Sequence, residues 1–201
     1  MGYIALGAAG FLIAFFSDHP RIERLLWPKP LILLAAFGAI SYAVVMVALH
    51  PQRYTLHPAL SAAGWVLTAL FLLLFIYSVF VEVPLRQAYL GATTGVPLVN
   101  TGTYAITRHP GVLWGTLMLV CLFVATGSRL LLIASPIWIL MDLAWVYLED
   151  RFYFPKTIPG YEHYKREVPM LVPTLASLRK GLKTLSKPGK ANTEVHFGRD
   201  P

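Results

Sequence analysis

The chain is a succession of long apolar blocks separated by short polar joints. Apolar positions run almost unbroken from Gly2 to Phe16, Leu31 to Leu49, Ala59 to Val81, His109 to Thr126 and Leu130 to Leu148. A helix needs about 20 residues to cross a bilayer core. The pattern therefore predicts an all-α, polytopic membrane helical bundle of about five transmembrane helices with a cytoplasmic C-terminal segment. The first block is the shortest and lacks both the basic start and the small-residue cleavage site of a secretory signal, so it reads as a retained helix. Proline-rich joints such as Trp27-Pro28-Lys29-Pro30 act as stiff connectors. Over residues 174–187, Leu175, Leu178, Leu182 and Leu185 recur at helical spacing among Arg179, Lys180, Lys183 and Lys187, the pattern of a short helix lying on a membrane surface. After Pro188 the chain reads as loose, and no internal repeat is evident.

Composition agrees. Of 201 residues, 56% are hydrophobic and 13% charged, against roughly half and a quarter in soluble domains. That excludes a water-soluble globule and, for most of the chain, disorder. The 17 basic residues sort between the blocks as Arg21, Arg24 and Lys29, then Arg53, then Arg86 and Arg108, then Arg129, with the rest from Arg151 onward. Lys and Arg stay preferentially on the cytoplasmic side of short loops, so this alternation predicts an outside N-terminus and an inside C-terminus. Absence of a sorting signal points to a bacterial inner membrane. The net charge of +7 then follows from topology and lipid attraction, and no base-reading motif suggests nucleic acid. The lone Cys121, inside an apolar block, reads as a small buried hydrophobe.

Candidate chemistry lies at the end of the last hairpin. Blocks four and five are joined by little more than Gly127-Ser128-Arg129, which makes them antiparallel neighbours whose far ends meet at the cytoplasmic surface. Those ends carry Arg108-His109-Pro110 and Glu149-Asp150. Pro110 suits a first helical position, with Thr107 or His109 as the cap. A helix start there offers unpaired N–H groups to an anion such as a carboxylate, while Glu149 and Asp150 can accept from an ammonium or from ribose hydroxyls. A zwitterionic ligand suits both halves.

Trp138, Asp142, Trp145 and Glu149 fall on one helical face. Asp142, an ionisable residue inside the membrane, is a functional candidate by default, although a hydrogen bond between helices would also account for it. On the same cytoplasmic side, Phe152, Tyr153 and Phe154 read as an aromatic belt. Tyr161 and Tyr164, in a Pro-flanked polar segment, could fold back as a lid. Four histidines precede proline, at His19, His50, His57 and His109. Topology puts His50 and His57 outside and the other two inside, so no metal site is expected.

The order Gly102-x-Tyr104, Arg108-His109-Pro110, a short helical hairpin, Glu149-Asp150 and Gly160-Tyr161-x-x-Tyr164-Lys165-Arg166-x-Val168-Pro169 resembles the isoprenylcysteine carboxyl methyltransferase superfamily, which includes the phospholipid N-methyltransferases. The likeness covers roughly residues 98–175. It divides the chain into N-terminal transmembrane helices and their loop (1–97), a methyltransferase-like hairpin and cofactor-binding tail (98–175), and a basic amphipathic and flexible tail (176–201). The resemblance implies an S-adenosylmethionine-dependent methyltransferase in which Tyr104, Arg108, His109, Pro110, Glu149, Tyr161 and Tyr164 contact the cofactor. A lipidic or small hydrophobic acceptor would enter between helices, near Trp114, Trp138, Asp142 and Trp145. Val112 stands where the family has a tyrosine, and Trp114 could replace that contact. No basic residue occurs between Arg129 and Arg151, where the isoprenylcysteine branch carries an arginine. Together with Asp142 this favours a neutral or cationic acceptor over a carboxylate.

Methyl transfer from a sulfonium is an in-line displacement in which alignment is the main catalytic device. A carboxylate or thiolate acceptor needs no base. An amine or phenol needs a proton acceptor, for which Glu149 and Asp150 are the catalytic candidates, with His109 also in reach. The segment Arg108-His109-Pro110 followed by Leu113-Trp114-Gly115 is also similar to the zeta-carotene-isomerase-like membrane family, some of whose members hold haem. The tyrosine-rich tail argues for the transferase. A non-catalytic membrane scaffold would need no polar cluster at all.

Overall fold

A computed structural model of the chain describes residues 1–17, 28–83 and 98–185. The basic joint with Arg21 and Arg24, His19, Arg86 and the chain beyond Leu185 lie outside the described residues, as do the expectations placed on them.

The elements are α1 (Gly2–Ser17), α2 (Pro28–Ala48), α3 (Pro58–Ile76) running into a π-helical turn (Tyr77–Glu82), a 3-10 turn (Gly102–Ala105), α4 (Pro110–Thr126) and α5 (Arg129–Leu148) running into a second π turn (Glu149–Tyr153). Short helices α6 (Phe154–Thr157), α7 (Tyr161–Glu167) and α8 (Leu175–Thr184) follow. Among the described residues the protein is helical, and an isolated bridge between Arg53 and Ser128 is its one extended pairing. By length and composition, three stretches can cross a membrane: Pro30–Ala48, Pro58–Glu82 and Arg129–Thr157. Gly2–Ser17 and Pro110–Thr126 form over the first and fourth apolar blocks but are shorter apolar helices, below the about 20 residues of a full crossing.

Helix starts follow local chemistry. Pro58 and Pro110 occupy first-turn positions, where a missing N–H costs nothing. The His57 ring accepts from the Ala59 N–H and the Ser128 hydroxyl from the Leu131 N–H. α4 ends at Gly127, whose φ of +65° is the left-handed conformation that glycine adopts cheaply.

Small residues set which helices approach closely. Gly64 of α3 faces the Ala125 backbone of α4, where a β-carbon would come within 2.6 Å of the Ala125 nitrogen. Further along the same pair, Gly111 and Gly115 receive Val79 and Phe75. In lipid, helices associate through such backbone proximity and packing, because apolar side chains gain little by leaving one oil for another. On the other side, Gly10 of α1 meets Ile40 and the Ala36 carbonyl of α2. α5 closes the bundle. Trp138 is fully buried, packs over Gly7 and donates to the Ile4 carbonyl at 3.2 Å, while Trp145 packs with Ala14, Leu33 and Ala36.

The connection 50–57 and the α4–α5 turn meet at one end of the bundle. There the Tyr54 N–H donates to Gly127 O at 2.7 Å, the Arg129 N–H to Gln52 O at 3.0 Å, and the Ser128 hydroxyl to Val47 O at 2.6 Å. The opposite end holds the ends of α3 and α5, the start of α4 and the segments 98–109 and 149–185.

Candidate functional site

At that opposite end the α4–α5 hairpin brings its termini together. Arg108 and His109 precede α4, and Asp150 lies in the π turn that continues α5. Arg108 Nη1 stands 2.6 Å from Asp150 Oδ1 as an ion pair, with the two side chains 8% and 7% exposed. Tyr161 donates its hydroxyl to the same oxygen at 2.7 Å. Lys165 places Nζ 3.3 Å from Asp150 Oδ2 and donates to the Asp150 carbonyl at 3.0 Å. His109 Nε2 is 3.5 Å from Oδ1, too long for a good hydrogen bond.

Of the two acids the inner one is Asp150. Glu149 keeps the α-helical register of the stripe Trp138, Asp142 and Trp145, its N–H donating to Trp145 O, and is half-buried, whereas Asp150, the next residue, is buried within the π turn.

Chain from α6 and α7 covers the cluster. Phe154 stacks on the His109 ring at 5.9 Å and meets the Tyr161 ring edge-on, and Tyr161 meets Tyr164 in turn. Tyr161, Tyr164 and Val168 form a small apolar core with Leu98 and Ile158. Tyr164 donates its hydroxyl to the Tyr104 carbonyl at 2.6 Å. The returning strand of chain is tied down as well. Arg108 N–H donates to Pro169 O at 3.0 Å, and Met170 O accepts from His109 N–H at 3.3 Å and from the Thr107 hydroxyl at 2.6 Å.

Both tyrosines sit where ionisation is disfavoured. Burial first, and then the hydrogen bond and charge of Asp150, push the Tyr161 phenol well above its ordinary range. Burial, with Tyr161 alongside, does the same to Tyr164.

Beside this cluster α4 begins without a side-chain cap. His109 holds the cap position, but its ring makes no cap hydrogen bond, and Thr107, the other candidate, donates to Met170 instead. Arg108 Nε and His109 Nε2 are buried without a hydrogen-bond partner among the described residues, as is Asn100 Oδ1. Buried polar atoms left so are uncommon, and each marks a place where a polar group from outside the chain would be welcome.

The remaining residues singled out from sequence are more dispersed. Trp114 is half-buried against α3, where it stacks on Phe71 and donates to the Ser78 hydroxyl at 3.0 Å. Val112 is buried in α4. Trp138 and Trp145 face α1 and α2, so this part of the expected acceptor pocket turns away from Trp114. Asp142, half-buried, shares their stripe. His50 and His57 serve local turns at the other end of the bundle, and no three His, Cys, Asp or Glu side chains converge as metal ligands among the described residues.

A second buried acid carried no motif. Glu82, 2% exposed at the end of the α3 π turn, accepts from the Thr103 N–H at 2.9 Å and from the Thr103 hydroxyl. Thr103 continues to Ser78, and Ser78 to Trp114. Gly102 sits over the Glu82 carboxylate with a φ of +59°, so any β-carbon there would collide with it. The signal available in the sequence was a lone carboxylate closing an apolar block. Compared with protein-family models, curated proteins and solved structures, the chain matches none.

Proposed function

We propose that this chain is an integral membrane S-adenosylmethionine-dependent methyltransferase acting on a lipidic or small hydrophobic acceptor. In this reading the bundle makes five crossings, with the N-terminus outside, the C-terminus in the cytoplasm, and a bacterial inner membrane as host. The observation that carries it is the convergence of Arg108, His109 and Asp150 under Tyr161 and Lys165, beside the uncapped start of α4.

The residues present fit the cofactor. The α4 N-terminus and the unpartnered Arg108 Nε suit the carboxylate of its amino-acid portion. The half-buried Glu149 is within a turn of the same place and suits an ammonium or a ribose hydroxyl. When bound, the cofactor supplies a methyl group on a positively charged sulfur. Asp150, with both carboxylate oxygens engaged by Arg108, Tyr161 and Lys165, acts as a positioning residue that fixes the arginine. Tyr161, Tyr164 and Phe154 shield the cluster from water. His109 Nε2 and Glu149 are the proton acceptors for an amine or phenol acceptor.

Binding of labelled S-adenosylmethionine to the purified chain in lipid nanodiscs tests the reading, followed by a screen of lipids and small metabolites for labelled methyl transfer. Arg108→Gln, His109→Ala and Glu149→Gln should each weaken binding about tenfold, equivalent to about 1.4 kcal/mol, with membrane insertion intact. Absence of binding to the unaltered chain, or equal binding in all three variants, would overturn the assignment.

A further inference from the structure

α8 divides into three faces. At 3.6 residues per turn, Leu175, Leu178 and Leu182 fall within roughly 60° of one another. Arg179, Lys183 and Lys180 follow on one flank, and Ser177, Gly181 and Thr184 on the other. The last face is the one that docks. Gly181 packs against Ile106 and the Gly102 carbonyl so closely that a β-carbon would collide with the Ile106 side chain, and Thr184 accepts from the Gly102 N–H at 2.9 Å. The start is fixed by a reciprocal cap between Thr174 and Ser177. A salt bridge from Lys180 to Glu167 ties α8 to α7 at 2.7 Å.

The leucine face is left uncovered. Leu175 is 76%, Leu182 66% and Leu178 37% exposed, and Val172 just ahead of the helix is exposed as well. Its place in the fold says what covers it. α8 rests on the turn Gly102–Ala105, which is bonded through Thr103 to Glu82, the last residue of the long apolar stretch Pro58–Glu82, and which leads through Arg108 into α4. The helix therefore lies where an apolar span ends, with leucines on one face and three cations beside them. Apolar surface flanked by Lys and Arg at that level matches acyl chains under anionic headgroups.

We propose that α8 is a docking helix for the anionic surface of the bilayer, with Leu175, Leu178 and Leu182 entering the headgroup–acyl boundary and Arg179 and Lys183 meeting lipid phosphates. The proposal rests on the membrane embedding of the long apolar helices and is independent of methyl transfer.

The test uses the full chain carrying Cys121→Ser, with one environment-sensitive label introduced at Leu182→Cys, at Glu162→Cys on exposed α7, or at Leu34→Cys on exposed α2. Each is placed in nanodiscs of phosphatidylcholine alone or with phosphatidylglycerol. Quenching by lipid-attached nitroxide reports contact with the bilayer, and quenching by aqueous iodide reports contact with water. The label at 34 should be quenched by nitroxide in both lipids, which establishes embedding. At 182, nitroxide quenching in phosphatidylglycerol discs should exceed that at 162 several-fold. It should fall several-fold in phosphatidylcholine alone and in the Arg179→Glu, Lys183→Glu variant, whose changes lie on exposed positions. Iodide access at 182 equal to that at 162 in phosphatidylglycerol discs would overturn the proposal. So would equal nitroxide quenching at 182 in both lipids, or shielding from iodide without nitroxide quenching, which would mean that protein covers the leucines. An unquenched label at 34 would overturn the embedding itself.

Discussion

Arg108 and Asp150 come from the two arms of a helical hairpin and meet at its open end as an ion pair 2.6 Å apart, both nearly out of contact with water. A pair in that position depends on mutual completion. Removing one member of a buried pair typically costs about 3–5 kcal/mol, because the other charge is left without compensation. Asp150→Asn should lower the thermal unfolding midpoint of the purified protein. The double variant Arg108→Gln, Asp150→Asn should lose clearly less than the sum of the single changes.

The tail is held by two phenols of unequal strength. Tyr161 donates to a carboxylate and Tyr164 to a neutral carbonyl. Hydrogen bonds to charged groups contribute about 1.5–3 kcal/mol and neutral ones about 1 kcal/mol. Tyr161→Phe should therefore expose the segment 154–170 to limited proteolysis more than Tyr164→Phe does.

Alkali should release the same segment. The folded Tyr161 and Tyr164 phenols are raised above the unfolded tyrosine value of about 10. A raised group of this kind contributes stability that is complete below about pH 10 and is lost as pH climbs toward the folded value, since the unfolded phenol ionises first. Phenolate absorbance, compared among the parent chain, Tyr161→Phe and Tyr164→Phe, should show these two hydroxyls silent at a pH where exposed tyrosines are half ionised.

Gly102 and Glu82 form the other lock at this end. Gly102→Ala would force a β-carbon into the carboxylate at a positive φ, a backbone region that costs L-residues about 1–2 kcal/mol before any clash. Glu82→Ala leaves the buried Thr103 N–H unpaired, at about 1–3 kcal/mol. Both should lower the thermal midpoint, and Glu82→Gln, which keeps an acceptor, should lower it less than Glu82→Ala.

Close packing of α3 on α4 gives a test far from the site. Gly64→Leu would drive a side chain into the Ala125 backbone and should cost about 1–3 kcal/mol or more by overpacking. Gly38→Leu, where a β-carbon meets open space, should leave the midpoint almost unchanged.

How far the sequence foretells this arrangement depends on range. The helical blocks were legible because a run of apolar residues is a local property. The meeting of Arg108 and His109 with Asp150 was legible because a turn as short as Gly127-Ser128 leaves a hairpin almost no freedom. Contacts without such a tether were not. Thr103 and Glu82 belong to separate segments with no spacing that links them, and Lys165 as a partner of Asp150 needed the fold of the tail. Trp138 shares a stripe with Asp142 in the sequence, but only the approach of Gly7 determines that its ring is spent on packing against α1. The choice between Glu149 and Asp150 escaped because the partners that fix Asp150, Tyr161 and Lys165, arrive with the returning tail.

The bonds from Tyr54 to Gly127 and from Arg129 to Gln52 join the α2–α3 connection to the α4–α5 turn at the end remote from Arg108 and Asp150. These bonds run between backbone groups, so no replacement of a side chain removes them, whereas the opposite end is closed by side chains, Asp150 on Arg108 and Glu82 on Thr103. Single substitutions can therefore loosen one end of the bundle and leave the other stitched.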